Sequence, residues 1–198
     1  MSILSSTKTG KSVFLIPKNR DELIQMIRYE IKEKGYNYDL NHIKTHKITD
    51  MSYLFANSKF VGDISKWDVS NVEDISKMFY NSIFNGDISK WNVSNVKDMC
   101  AMFYNSIFNG DISKWNVSNV KDMRYMFCRS DFNKDISSWK IKLNCKTTDM
   151  FLRCPIKDEY KPLQLIGFKN KIIRKIYIFF NDINKEIKLN SYILKHKT

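Results

Sequence analysis

The sequence predicts an α/β repeat fold, a leucine-rich-repeat-like solenoid of five 24-residue turns with short parallel strands and an N-terminal helical cap. The first observation is that the run MFYNSIFNGDISKWNVSNVKDM occurs twice, over residues 78–99 and 102–123. The second is a tryptophan every 24 residues, at Trp67, Trp91, Trp115 and Trp139. A unit this short cannot bury its own apolar face, so stacked copies must share one core.

Apolar residues keep fixed places within each unit. With Ile64 as position 1, they fall at positions 4, 6, 9, 12, 15, 16 and 21, and a small residue stands at position 19. One period earlier, Leu40 begins a unit without the tryptophan, and later Ile136 begins a degraded last unit. Five units are therefore predicted over residues 40–154.

Each unit contains two different apolar patterns. The alternation in Trp67-Asp68-Val69 predicts a short strand that pairs in parallel with its copies. Residues 72–79 have apolar spacings of three and four, which predict a helical turn on the opposite side, with Asn71 as its cap. The tryptophans stand within the apolar register, so we expect them in the core.

The segment before the repeats predicts a capping helix. Asn19 and Glu22 have the spacing of a capping box, an apolar face runs from Leu23 to Ile31, and Gly35 is a natural stop. We therefore divide the chain into an N-terminal segment with this helix (1–39), the repeats (40–154) and a C-terminal region (155–198).

The C-terminal region is the most basic part of a chain whose formal net charge is +12. Pro155 interrupts the repeat, and the apolar residues from Phe168 to Phe180 have helical periodicity with a basic face. This pattern is compatible with a C-terminal cap, with a membrane-surface or partner helix, or with a poorly ordered tail.

The repeat pattern IxxWxVSNVxDMxxMFxxSxFNGD, with the lead-in PKNRDELIQMI and GYNYDLNHI, closely resembles the BspA-like leucine-rich-repeat family. The resemblance covers about residues 14–154. It implies a surface or secreted protein that interacts with a host or another partner.

The function predicted from these observations is a non-catalytic protein–protein interaction scaffold. The alternative is a cell-surface adhesin or host-interaction protein that is exported without a recognisable signal. The candidate partner-binding residues lie at positions 3 and 5 of three units: Lys66, Asp68, Lys90, Asn92, Lys114 and Asn116. The copies also diverge at Ser76-Lys77, Cys100-Ala101 and Arg124-Tyr125, where a partner could distinguish one unit from the next.

Other classes of function are disfavoured by the sequence. No catalytic constellation remains once repeat positions are set aside, so we predict that the protein is not an enzyme and has no cofactor. His42 and His46 lack a convincing third ligand, and the aspartates ending each unit are expected to cap turns rather than bind calcium. The basic residues form no stripe with interleaved aromatics, so nucleic acid is not the expected partner.

Location and assembly are predicted from weaker signals. No secretory signal or membrane-spanning stretch is recognisable, and the four cysteines have no zinc spacing, which favours an intracellular protein with reduced thiols. A cell-surface or secreted location is the alternative. We expect a monomer with a protein partner.

Overall fold

A computed structural model of the chain describes residues 15–166 and Phe179. Within residues 15–166, the one α-helix is α1 (Arg20–Lys34), and two short 3-10 helices follow the repeats, at Asp158–Tyr160 and Leu163–Leu165. The rest consists of turns and isolated bridges between residues one period apart. The predicted C-terminal helical cap or tail spans residues 155–198. The structure describes residues 155–166 and Phe179 of this region, and the rest lies outside the described residues.

The predicted α/β fold is wrong. The described residues contain no extended strand and no sheet, so they form neither an α/β solenoid with short parallel strands nor a leucine-rich repeat. The strand-like pairing between these units consists of single parallel bridges, such as those that join Asp74 to Asp50 and to Asp98. The 24-residue period itself governs the contacts, because these bridges recur at the same position of each unit.

The strand predicted at Trp67-Asp68-Val69 is absent because the chain turns on both sides of it. The Trp67 N–H donates to the Ile64 carbonyl, and the Val72 N–H donates to the Val69 carbonyl. Each bond closes a four-residue turn. The alternation of buried and exposed side chains is real, but it arises between two turns rather than along a strand.

The helical turn predicted over residues 72–79 is also absent. Lys77 and Asn81 have positive φ angles of 53° and 51°, which lie outside the helical region. The Lys77 and Phe79 N–H groups donate to the following unit instead of to a carbonyl four residues back. The spacings of three and four come from successive turns that place Val72, Ile75, Met78 and Phe79 in the core.

Backbone hydrogen bonds between neighbouring units hold the repeat together. Four N–H groups of each unit, at positions 12, 14, 16 and 18, donate to four carbonyls of the next unit, at positions 11, 13, 15 and 17. In the first pair of units, for example, Phe55 donates to Met78 at 2.9 Å and Asn57 donates to Tyr80 at 2.8 Å. Along this segment every unit therefore directs these N–H groups toward the next unit and these carbonyl groups toward the previous one.

Two columns of phenylalanine rings form the centre of the core. In the first column, at position 16, successive ring centroids lie 5.7 Å apart from Phe55 to Phe151. In the second, at position 21, the spacing from Phe60 to Phe132 is 6.1–6.5 Å. Within a unit the two rings stack closely, as Phe103 does on Phe108 at 4.2 Å. The position-21 rings are fully buried, as are those at position 16 apart from Phe151.

The tryptophans join the core as the sequence predicts, and each also makes one polar contact between units. The Trp91 indole N–H donates to the Ile64 carbonyl at 3.2 Å, and Trp115 repeats this with Ile88. Buried indole N–H groups need such a partner. Each tryptophan therefore fixes the register between its own unit and the previous one.

Helix α1 covers the first unit. Asn19 caps it, with its Oδ1 accepting from the Glu22 N–H at 2.9 Å, and the helix ends at Gly35, where φ is +91°. Leu23 and Ile27 are buried in the common core. Arg20 donates from Nε and Nη2 to the Ser52 carbonyl, at 2.9 and 2.7 Å, in the place where a preceding unit would donate an N–H.

The described residues after the last unit cover part of the opposite end. Ile156 and Ile166 are buried, and the Tyr160 carbonyl accepts from the Ile136 N–H at 3.0 Å.

Within the described residues, no helix has both the length and the apolar character needed to cross a bilayer.

The stacked rings provide a test of this core. Replacing Phe103 by alanine removes a fully buried ring that stacks on Phe79, Phe108 and Phe127, so we expect a loss of about 3–5 kcal/mol in the free energy of unfolding. Urea unfolding measures this loss. The control is Ile107→Ala in the same unit, where the side chain is 45% exposed and the expected loss is below about 1 kcal/mol. Equal losses in the two variants would contradict the proposed role of the ring column.

Candidate interaction surface

The lysines of the predicted binding surface form one exposed row. We call Lys66, Lys90 and Lys114 the lysine row. All three side chains are exposed, and each precedes a buried tryptophan that holds the backbone in place. No ion pair or side-chain hydrogen bond engages their ammonium groups within the described part of the chain. The row therefore presents three cations at corresponding positions of three neighbouring units.

The position-5 residues are exposed but partly engaged. Asp68 accepts from the Ser70 N–H at 3.0 Å through the same oxygen that accepts from the Ser70 hydroxyl. Asn92 and Asn116 accept from the N–H two residues later, each at 3.2 Å. These local turns fix the side chains and leave their other polar atoms for a partner.

An exposed aspartate lies three residues before each member of the lysine row. Asp63, Asp87 and Asp111 each accept a hydrogen bond through Oδ1 from the N–H two residues later, at 2.8–2.9 Å. The bond from the Ser113 backbone lowers the pKa of Asp111, and the charge of Lys114 adds to this. These side chains cap turns, as the sequence predicts. A column of carboxylates thus lies beside the lysine row.

A second column of aspartates escaped the sequence reasoning. Asp50, Asp74, Asp98 and Asp122 form the parallel bridges between units, inside the segment that the sequence assigned to a helix. Burial raises the pKa of Asp98, and the charges of Asp74 and Asp122 add to this. For Asp122, burial acts in the same direction but is outweighed by hydrogen bonds from Arg124, so its pKa is lowered. The recurrence of aspartate at position 11 was the available signal.

Two further ladders run along the surface. The rings of Tyr80 and Tyr104 stack with centroids 4.9 Å apart. The Asn81 amide donates to Asn57 at 2.9 Å, and Asn105 donates to Asn81 at 2.7 Å. These polar side chains are exposed or half-buried, so their identity between copies reflects contacts between units.

The positions at which the copies diverge lie beside the aspartate column. The Lys77 ammonium donates to the Tyr53 hydroxyl at 2.6 Å, and Ala101 is buried at the equivalent position one unit later. Arg124 forms a bidentate contact with Asp122. The divergent residues therefore change which side-chain contacts each unit makes with its neighbours.

The other polar features do not assemble a chemical centre. His42 contacts Glu30 at 3.4 Å, away from His46 on the exposed surface. Within the described residues, no three His, Cys, Asp or Glu side chains are placed to share a metal ion. Burial raises the pKa of all four cysteine thiols, that of Cys145 to about 11.

Comparison with known proteins assigns the repeat to a family. A family model described as "Mycoplasma protein of unknown function, DUF285" matches residues 22–127 and 49–161, which together cover more than half of the chain. The chain belongs to this DUF285 family. The two matches overlap, as expected for a repeat that fits the same family pattern in more than one register. No curated protein and no solved structure gives a significant match.

The aspartate column generates a pH-dependent prediction. A carboxyl whose pKa is raised on folding destabilises the folded state when ionised, and this cost is lost as the pH falls through the folded pKa. Asp98→Asn should therefore increase the free energy of unfolding at pH 7 by about 0.2–1 kcal/mol, the range for charges directly opposite each other. The increase should vanish well below pH 3.8, the ordinary pKa of an aspartate, because Asp98 is then protonated.

The matched control for this prediction is Asp111→Asn. The pKa of its carboxylate is lowered in the folded state. The carboxylate therefore stabilises the folded protein at pH values above its unfolded-state pKa, and this stability is lost on acidification. Urea titrations at several pH values should show opposite signs for the two substitutions at pH 7. The same sign for both would contradict the destabilising effect of the ionised Asp98 carboxylate, which burial and the neighbouring aspartates cause.

The thiols generate a second prediction. Only the thiolate is nucleophilic, and a pKa of about 11 in place of 9.0 leaves about a hundredfold less thiolate at pH 8. Cys145 should therefore react with iodoacetamide at least tenfold more slowly in the folded protein than in urea, as followed by mass spectrometry. Equal rates in the two states would show that its burial does not protect it.

Proposed function

We propose that this protein is a non-catalytic protein-binding module whose lysine row contacts the partner. The observation that carries the proposal is the row itself: three exposed ammonium groups without an ion pair in the described part of the chain stand at one register position of successive units. Columns of side chains in this repeat advance by about 5.7–6.5 Å per unit. A partner with carboxylates at comparable intervals could engage all three lysines together.

The backbone beneath the row supports this role. The tryptophan that follows each lysine is buried and bonded to the preceding unit, so the three Cα positions are fixed before binding. Prior ordering of a surface lowers the entropy cost of association. The column of Asp63, Asp87 and Asp111 lies beside the lysine row, and its charge favours a partner with basic groups next to its carboxylates over a uniformly acidic polymer.

The resemblance to BspA-like proteins supports interaction as the general role. That resemblance rests on the repeat residues and the N-terminal lead-in, and the family match covers most of the same part of the chain. The proposal takes from it the class of function alone.

Charge reversal of the row tests the proposal. The triple variant Lys66→Glu, Lys90→Glu, Lys114→Glu should lose at least about tenfold of the partner recovered by affinity capture from native lysate, measured by quantitative mass spectrometry. The matched control reverses three exposed cations at other register positions, Lys47→Glu, Lys121→Glu and Arg129→Glu. Recovery that is unchanged in the row variant, or equally reduced in the control, would rule out the row as the contact surface.

In the alternative function, that of an adhesin, the lysine row contacts its partner outside the cell. The resemblance to surface proteins favours it, and it requires the repeat to be accessible outside the cell. Protease treatment of intact cells separates the two: digestion of the protein supports the adhesin, and protection until lysis contradicts it.

A further inference from the structure

The first repeat unit has a backbone edge that every later unit buries in hydrogen bonds. The carbonyls at positions 15 and 17 accept from the preceding unit throughout the later repeats, as Met78 and Tyr80 do from Phe55 and Asn57. The corresponding groups of the first unit are the Leu54 and Ala56 carbonyls. Neither accepts a hydrogen bond within the described residues, and both face the side on which a preceding unit would lie.

Helix α1 does not fill this edge. Arg20 occupies the neighbouring Ser52 carbonyl, but beyond it a cleft of about 780 Å³ separates α1 from the first unit. Leu54 and Ala56 line this cleft, together with the apolar side chains of Ile24 and Ile31. The cleft therefore combines an apolar wall with two unpaired carbonyls, the arrangement that an added extended segment recognises.

The charge around the cleft has one sign. Arg28, Lys32 and Lys59 line it with exposed side chains, and none of these side chains forms an ion pair or hydrogen bond within the described residues. No aspartate or glutamate is among the described residues that line it. Basic groups without counter-charges favour an anionic occupant.

We propose that this cleft binds an extended acidic peptide. Its backbone N–H groups donate to the Leu54 and Ala56 carbonyls and so repeat the bonds that one unit makes to the next. Its carboxylates pair with Arg28, Lys32 and Lys59, and its apolar side chains pack on Ile24 and Ile31. This site is separate from the lysine row and goes beyond the proposed function.

A second copy of this chain is a poorer occupant. The forward edge of the last unit does carry unpaired N–H groups, at Thr147, Asp149, Phe151 and Arg153 within the described residues. That edge carries the cations of Lys146 and Arg153 against the single carboxylate of Asp149, so its net charge is positive, like that of the cleft. Charge therefore favours a different, acidic chain.

Fluorescence anisotropy tests the proposal with a labelled peptide of alternating glutamate and valine, titrated with the full chain. We expect saturable binding that weakens with salt. The variant Arg28→Glu, Lys32→Glu should weaken binding by at least about tenfold. The control Lys121→Glu, Lys134→Glu carries the same charge change away from the cleft and should differ from wild type by less than about twofold. The variant Arg28→Gln, Lys32→Gln, without new acidic groups on α1, should show an intermediate loss, and urea unfolding confirms that each variant is folded.

A second probe tests the backbone contacts. The same peptide methylated at alternate backbone nitrogens cannot donate to the two carbonyls and should bind at least about tenfold more weakly. Equal binding of the methylated peptide, or an equal loss in the charge control, would overturn the proposal.

Two further measurements assign the occupant. If phosphatidylserine vesicles bind through Arg28 and Lys32 and the peptide does not bind, the occupant of the cleft is a membrane surface. If sedimentation shows that the protein self-associates and that the same substitutions disrupt this association, the occupant is a second copy of the chain. Either result overturns the assignment.

Discussion

The hydrogen bonds between units are the constraint on which the rest of this structure depends. Four N–H groups of one unit meet four carbonyls of the next at 2.8–3.1 Å, and this pairing recurs across every junction of the five units. It requires alternate N–H groups to point toward the next unit, whereas the N–H groups of a helix point along its own axis to carbonyls of the same helix. The chain satisfies it with successive turns and with residues such as Asn81 in the left-handed region. The phenylalanine columns then stack at the spacing that this pairing imposes.

The same constraint gives the repeat a direction and two unlike ends. Along positions 12–18 the first end presents carbonyls and the last end presents N–H groups, so each end needs a different cap there. At the first end, Arg20 donates to one carbonyl as a substitute for a missing unit, and Leu23 and Ile27 cover the core. Among the described residues, the Leu54 and Ala56 carbonyls accept no hydrogen bond and lie beside three cations, which makes this end chemically distinct from the lysine row. A partner that binds at one site need not compete with a partner at the other.

The surface chemistry follows from repetition. A residue repeated every 24 positions becomes a column of like groups, and its environment decides whether the column is tolerated. The exposed Asp63, Asp87 and Asp111 are relieved by turn hydrogen bonds and by neighbouring lysines. The column through Asp98 is more buried and carries repulsion, which Arg124 relieves at one end. Divergence between otherwise identical copies falls beside this column, where Arg124 supplies a counter-charge to Asp122.

The sequence by itself determined the period, the extent of the repeat, the residues of the core and the capped helix α1, because periodic burial and Asn19–Glu22 spacing are local signals. It also placed the lysine row at exposed positions, since each lysine adjoins a buried tryptophan. Only the tertiary structure decided the backbone conformation. The alternation at Trp67 and the helical spacing at Val72 were compatible with regular secondary structure. Pairing between units instead selected turns, because those turns bury the same side chains while they satisfy the backbone across each junction. The carbonyl edge of the first unit likewise follows only from the stacking of units, which pairs the same groups in every later unit.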